Sequence, residues 1–250
     1  MNTFSVKDKV IMITGGTAGI GRGLVDYFLE QGAIVATTGR TPEKVERLRA
    51  ELAGKRAVIY QLDVRDVASI QPVFEQVVAD CGHLDILVNN AGMGNPIPAI
   101  EVTQEDWDTM MDLNLRGAFF CAQAAAKQML PRKYGRIINI TSQISLVANE
   151  NEVVYCASKG GLNQMTRVLA IEWGKFGVIT SAVAPTFTYT PGTAERLDTP
   201  SFRDAVLAKI PRGRLGTIED IGNAVQYLAS DMADMANGTI LTIDGGWTAV

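Results

Sequence analysis

Short apolar runs rich in β-branched residues recur along this chain, and the stretches between them carry apolar residues at helical spacing. The runs predict strands over 9–13, 33–38, 56–61, 84–89, 136–141, 178–183 and 239–243. Ile34-Val-Ala and Arg136-Ile-Ile-Asn-Ile140 lack the alternation of a half-exposed strand and suit strands covered on both faces. Strand and helix alternate with no low-complexity linker. The expected fold is therefore α/β: one doubly wound, mostly parallel seven-stranded sheet flanked by helices, in a single domain over 1–250. Right-handed crossovers carry loops to the carboxyl edge of such a sheet, where ligands bind. The turn after the first strand, Asn89 to Gly92, Ser142 and Pro185 are expected to meet there.

Lys9-Val-Ile-Met-Ile13 is followed by Thr14-Gly-Gly-Thr-Ala-Gly-Ile-Gly21 and an amphipathic stretch from Leu24 to Leu29, the order strand, glycine turn, helix. Gly15, Gly19 and Gly21 permit a tight turn that brings backbone N–H groups to a phosphate, and the helix N-terminus favours the anion. The spacing is G-x-x-x-G-x-G rather than the commoner G-x-G-x-x-G of dinucleotide sites. Further along, Tyr155-Cys-Ala-Ser-Lys159 puts a phenol and an ammonium on one face of a helix. At about 4 Å and an effective dielectric near 20 their attraction reaches roughly 4 kcal/mol, about three pKa units. That ceiling brings Tyr155 toward neutrality, where it exchanges a proton with an alcohol or carbonyl oxygen.

With both motifs in place, the chain resembles the single-domain Tyr-x-x-x-Lys branch of the short-chain dehydrogenase/reductase family from Lys7 to Trp247. Asp63-Val64, Asn89-Asn-Ala-Gly92, Asn114 in the helix after Trp107, and Ser142 after the strand Arg136 to Ile140 fall in register with it. The resemblance implies a Rossmann-type fold and an NAD(P)-dependent oxidoreductase that interconverts a secondary alcohol and a carbonyl. It assigns Tyr155 as general acid or base and Ser142 as the hydrogen-bond partner of the reacting oxygen. Lys159 would hold the nicotinamide ribose, and Asn114 a water linking Lys159 to solvent. The cofactor would lie against Gly15, Thr17, Gly19, Ile20, Gly21, Arg40, Asp63, Val64, Asn90, Ala91, Gly92, Tyr155, Lys159, Pro185 and Thr188. Because hydride passes between cofactor and substrate carbon, the protein's share is orientation and proton delivery.

Relatives preferring NAD usually end the second strand with an acid; here that position is Gly39, followed by Arg40. Without the carboxylate a 2′-phosphate is not repelled, and a guanidinium grips it through a fork of donors, which favours NADP over NAD. Arg40 also reads as a solvated residue ahead of a helix capped by Thr41 with Pro42 at its first position, and Ala18 is not the basic residue some NADP-preferring relatives carry.

The family's Asn-x-x-x-Pro-Gly after the sixth strand is here Ser181-Ala-Val-Ala-Pro185-Thr186. Threonine lacks glycine's backbone freedom, so a differently shaped loop is expected beside Thr188. Beyond it, about 187–212 reads as a mobile substrate lid with Phe202, Val206 and Ile210 at helical spacing. Between Ser142 and Tyr155 the polar Asn149-Glu-Asn-Glu152 is expected at the pocket. Asn149, Glu150 and Glu152, with Gln143 and Asn95, offer hydrogen bonds to several hydroxyls. The substrate contacts expected are Ser142, Asn149 and Tyr155, and the substrate a polyol, sugar or sugar acid. A pocket carboxylate disfavours an anion, so a sugar acid requires Glu150 and Glu152 to point away.

Composition narrows the alternatives. At 47% hydrophobic residues and a net charge of -4, the 250-residue chain is an ordinary globular one, with no reason to expect nucleic acid or an anionic membrane as partner. No apolar segment spans a bilayer and no signal-peptide pattern opens the chain, so a cytoplasmic location is expected. Cys81, Cys121 and Cys156 are isolated and read as reduced thiols. One histidine, His83, no G-x-S-x-G and no ligand cluster argue against a serine hydrolase and for metal-free chemistry. Two rivals stand: a 3-oxoacyl thioester reductase docking an acidic carrier through Arg132, Lys133, Arg136, Arg212 and Arg214, and a non-catalytic cofactor-binding sensor or scaffold. Apolar positions Met110, Leu113, Ala118, Leu162, Met165 and Leu169 suit the sheet or a partner, and similar proteins are usually homotetramers.

Overall fold

The computed structural model describes residues 4–249; residues 1–3 and 250 of the expected domain lie outside them. Seven strands, β1 (Val10–Ile13), β2 (Ile34–Gly39), β3 (Ala57–Gln61), β4 (Ile86–Asn89), β5 (Gly135–Ile140), β6 (Val178–Pro185) and β7 (Ile240–Ile243), form one sheet in the order β3-β2-β1-β4-β5-β6-β7. Every pairing is parallel. Each strand falls within two residues of its expected bounds.

The alternation of side chains along the strands divides two cores. Ile11 and Ile13 of β1, Ile86 and Val88 of β4, and Ile138 and Ile140 of β5 face α1 (Gly19–Glu30) and α9 (Ile218–Ala229). Val10, Met12, Leu87 and Ile137 face α3 (Val67–Cys81), α5 (Gly117–Met129) and α6 (Val153–Trp173). Each such side chain contributes roughly 1.5–3 kcal/mol on full burial. Both faces are covered, which is why the strands read as unbroken apolar runs.

The remaining helices shape the rim. After β2, α2 (Pro42–Glu51) starts with Pro42 as expected. The α4 helix (Gln104–Met111) opens with a capping box between Thr103 and Asp106, and passes into α5 through a π-helical turn, Asp112–Arg116. The expected lid is not a bare loop: α7 (Pro191–Leu197) and α8 (Pro200–Leu207) share a small core in which Leu197, Val206 and Ile210 pack with Trp247. Phe187 joins that core, its ring 5.8 Å from both Phe202 and Trp247. Among the described residues no helix is long and apolar enough to cross a membrane.

Candidate active site

The sheet order changes direction between β1 and β4, so the loops leaving these strands diverge and open a cleft at their carboxyl ends. Thr14 pins the two loops together: its hydroxyl accepts from the N–H groups of Asn90 and Ala91, both at 3.0 Å. The Asn90 amide donates back to the Thr14 carbonyl at 2.9 Å. A cleft of about 830 Å³ results, running from Arg40 past the glycine turn to Tyr155 and the lid.

At one end the cleft is made of backbone. Gly19 sits at φ 57° with open space where a side chain would be, and the α1 N-terminus lacks any side-chain cap. Its N–H groups face the cleft, the condition for holding a phosphate. A Cβ on Gly21 would stand 2.3 Å from the Asn90 amide and 2.4 Å from the Gly15 carbonyl, so no larger residue fits. A side chain on Gly39 would likewise strike Thr17 at 2.3 Å. Arg40 and, unforeseen from sequence, Lys44 line the same end. The residues fit a dinucleotide pyrophosphate. Asp63 and Val64 also line the cleft, but Arg65 clasps the Asp63 carboxylate at 2.6–3.1 Å and holds its pKa below the usual range. A shallower hollow beside it, about 700 Å³, is rimmed by Asp66, Glu105, Asp108 and Asp112, whose carboxylates repel phosphates.

At the other end the cleft is made of side chains. Buried amides fix α6 against the sheet: Asn89 donates to Asn139 at 2.9 Å and Asn139 to Thr166 at 2.9 Å. That sets Tyr155 and Lys159 beside the loop after β5. Ser142 and Tyr155 line this end together, near enough that Ser142 favours ionisation of the phenol, and the Ser142 hydroxyl donates to the Gln143 side-chain oxygen at 2.9 Å. Lys159 donates to the Ile140 carbonyl at 2.8 Å. Asn114, on the π-helical turn, accepts from Met93 N at 2.9 Å and donates to Met93 O at 2.8 Å and Ser158 at 3.1 Å. Asn114 and Lys159 both close on Gly92: a Cβ there would lie 3.1 Å from the Asn114 oxygen and 3.3 Å from the ammonium. Of the four expected catalytic side chains, Ser142, Tyr155 and Lys159 line one end of the cleft, and Asn114 lies buried just behind it against Gly92.

One expectation is corrected. Tyr155 is not drawn toward neutrality; burial pushes its phenol up to about 12, Ser142 opposing and the Glu152 charge adding to the rise. The lysine does not offset this because its ammonium bonds to a carbonyl and stands 5.9 Å from the phenol ring centre. Burial instead draws Lys159 down to about 8.

The polar stretch before α6 also divides differently. Asn149 and Glu150 do not line the cleft, whereas Glu152, Gln143 and Asn95 do. The reason is Asn151, whose left-handed backbone at φ 62° turns the chain back just before Glu152. Its carbonyl is tied to Ile97 N at 2.8 Å. No sequence signal marked that reversal. Thr186 keeps an ordinary backbone, so the loop is unstrained, and its buried hydroxyl lines the cleft without a partner. Pro185 and Thr188 line the cleft as expected, joined by Arg196 from the lid, which sequence reading passed over.

The comparisons agree with this geometry. The family described as Enoyl-(Acyl carrier protein) reductase matches residues 15–248. The chain is 40% identical over 247 residues to a D-threitol dehydrogenase of Mycolicibacterium smegmatis, covering 98% of this chain and 95% of the relative. It is 36% identical over 253 residues to the 2-dehydro-3-deoxy-D-gluconate 5-dehydrogenase of Escherichia coli, covering 100% and 99%. The crystal structure of a gluconate 5-dehydrogenase from Burkholderia cenocepacia, in complex with NADP and tartrate, superposes with a TM-score of 0.93 at 33% identity, covering 100% of this chain and 98% of that one. The chain belongs to the short-chain dehydrogenase/reductase family, whose members are NAD(P)-dependent oxidoreductases.

Proposed function

We propose that this protein is an NADP-dependent dehydrogenase that interconverts a secondary alcohol and a carbonyl on a polyol, sugar or sugar acid. The observation that carries the reading is that Ser142, Tyr155 and Lys159 open into the same cleft as the uncapped α1 N-terminus. The bound nicotinamide dinucleotide supplies or accepts the hydride. Gly15, Thr17, Gly19, Ile20 and Gly21 hold its pyrophosphate, Arg40 with Lys44 the 2′-phosphate, and Pro185 and Thr188 the nicotinamide end. Asn90, Ala91 and Gly92 form the floor.

Tyr155 takes or gives the hydroxyl proton while Ser142 orients the reacting oxygen. Lys159 sits under Gly92 where a ribose would pass, and its low pKa lets it exchange protons near neutral pH. Asn114 holds the loop over it. The lid, about 187–212, folds as α7 and α8 on a small core closed by Trp247 and Leu215 from outside it, so opening parts the lid from those two residues. Support for a polyhydroxylated substrate comes from the polar Gln143, Glu152 and Asn95, since unmatched polar groups penalise an apolar analogue. The relatives named above act on such compounds. Trp107, Val168 and Ile171 expose apolar surface on α4 and α6, which suits the subunit interfaces of a homotetramer. A place in carbohydrate metabolism fits the substrates named for these relatives.

Among the described residues, the docking patch of the acyl thioester reading is reduced to Lys133 and Arg212 as unpaired cations. Arg132 donates to the Leu84 carbonyl and Asp85, Arg136 is buried against Asp234, and Arg214 is paired with Asp220. Arg132, Lys133 and Arg136 stand at the amino edge of β5, opposite the cleft. The test is reduction of NADP and NAD by the purified protein across polyols, sugars, sugar acids and simple secondary alcohols. Turnover of a polyhydroxylated compound with NADP is expected; silence across the panel with reduction of an acyl thioester by NADPH would overturn the reading, and silence with both would leave a sensor or scaffold.

A further inference from the structure

Among the described residues Glu152 is the one carboxylate buried in the reacting end of the cleft. It is 6% exposed, and its Oε2 has no hydrogen-bond partner. It precedes α6, yet its side chain does not cap that helix. One turn later on the same face stands Tyr155. A buried unpartnered carboxylate is costly, and the fold does nothing visible with this one. The cation that faces it, Arg196, is exposed on α7 with its guanidinium 4.6 Å from the Phe202 ring centre, and acts on Glu152 through its field. The other cation at this end of the cleft, Lys159, is bonded to the Ile140 carbonyl, and Ser142, Gln143 and Phe202 carry no charge. An acceptor in this position, beside the hydroxyl pair that takes the reacting oxygen, awaits a donor delivered by the substrate.

We propose that Glu152 sets substrate specificity: its carboxylate accepts a hydrogen bond from the hydroxyl on the carbon next to the reacting one, so the enzyme selects neutral vicinal polyols over mono-alcohols and over substrates with a carboxylate there. This rests on the dehydrogenase reading and narrows its substrate class from polyols and sugar acids to neutral vicinal polyols. The charge does two separable things. It raises the Tyr155 pKa, which touches every substrate alike, and it reads the neighbouring hydroxyl, which touches only diols.

A ratio of specificities isolates the second effect. kcat/KM is measured with NADP for 2,3-butanediol, 2-butanol and a 2-hydroxy acid, lactate, whose carboxylate adjoins the reacting carbon, in the wild-type enzyme, Glu152→Leu and Glu152→Gln. Glu152→Leu is expected to lower the diol-to-mono-alcohol ratio by roughly 10- to 100-fold, the range of a hydrogen bond to a charged acceptor. Glu152→Gln, which keeps an acceptor but removes the charge, is expected to raise the lactate-to-diol ratio by roughly tenfold. Because each ratio is taken within one protein preparation, loss of folded enzyme cancels. Unchanged ratios in both variants, with the wild type active on the diol, overturn the role of Glu152 while leaving the dehydrogenase standing. A wild type inactive on every alcohol overturns both.

Discussion

The two ends of the cleft are built from different materials. The cofactor end is backbone: the glycine turn, the uncapped α1 N-terminus, and a strand end where Gly39 admits no side chain. The reacting end is side chains gathered from α6, the π-helical turn, the loop after β5 and the lid. A backbone site is specified by where a side chain is forbidden, and so it is written locally. A side-chain site depends on which way each loop turns, and that is decided by contacts far off in sequence. The difference predicts that damage at the reacting end separates chemistry from binding, whereas the cofactor end is read through its ligand alone.

The largest expected effect follows at the reacting end. Tyr155→Phe removes the hydroxyl but keeps the ring, and is expected to lower kcat by about 10³-fold, within the range for lost acid–base catalysis. Dinucleotide affinity, followed by quenching of protein fluorescence, should move by no more than about threefold, because the phosphate grip lies at the far end. A matching collapse in affinity would show that the two ends are not separable.

Next is the buried lysine. Lys159 is held at about 8 in the folded chain against an ordinary 10.5. Between those values the unfolded chain binds more protons, so stability rises with pH across this window. Tyr155, held up at about 12, works the other way above pH 10, as the unfolded phenol ionises first. Lysine alone contributes a rise of about 2 kcal/mol between pH 8 and 10, since each unit of pKa shift is about 1.4 kcal/mol. The thiols held up by burial, Cys121 above all, work against it above pH 9, so the rise is read as the difference between the wild type and Lys159→Met. Urea melts at pH 7, 8, 9 and 10 measure it, and Lys159→Met should flatten the slope. An identical slope in that variant would mean the rise belongs to other groups.

How the two ends read in sequence follows from the same contrast. The strands and the doubly wound order were legible because both faces of the sheet are covered, leaving the apolar runs unmixed. The glycine turn was legible through spacing, and Asn114, Ser142, Tyr155 and Lys159 were picked out by the family resemblance. What spacing did not give was electrostatics and loop direction. Tyr155 and Lys159 share a helix face, yet the ammonium's hydrogen bond to Ile140 and the burial of both groups reverse the expected shift of the phenol. Asn149 and Glu152 looked interchangeable until the left-handed Asn151 turned only the second inward. Lys44 and Arg196 carried no pattern at all, since each is a charged residue on an exposed helix face.

At the cofactor end the comparison sharpens on Arg40. Replacing Arg40 with serine is expected to lower the NADP-to-NAD ratio of kcat/KM by roughly 10- to 30-fold, about the strength of one charge-assisted pair to phosphate. Lys44 remains in the cleft and limits the loss. Arg40→Ser together with Lys44→Ser should lower it further. A ratio unmoved in the double variant would end the assignment of the 2′-phosphate to this corner.

The smallest effect tests the seam between the ends. At Thr186 a threonine stands where the family pattern has glycine, its buried hydroxyl unpartnered beside the expected nicotinamide contact Thr188. Thr186→Val keeps the shape and deletes the hydroxyl. If that hydroxyl serves the cofactor, the variant without ligand should gain about 1 kcal/mol of stability, because a buried unsatisfied group is removed. Cofactor affinity should fall about threefold in the same protein. The opposite signs are what matter: a group kept for binding costs stability until its ligand arrives, and a merely structural hydroxyl would lower both together. A gain in stability with unchanged affinity would make Thr186 a silent departure from the family pattern and return the nicotinamide end to backbone, like the rest of the cofactor site.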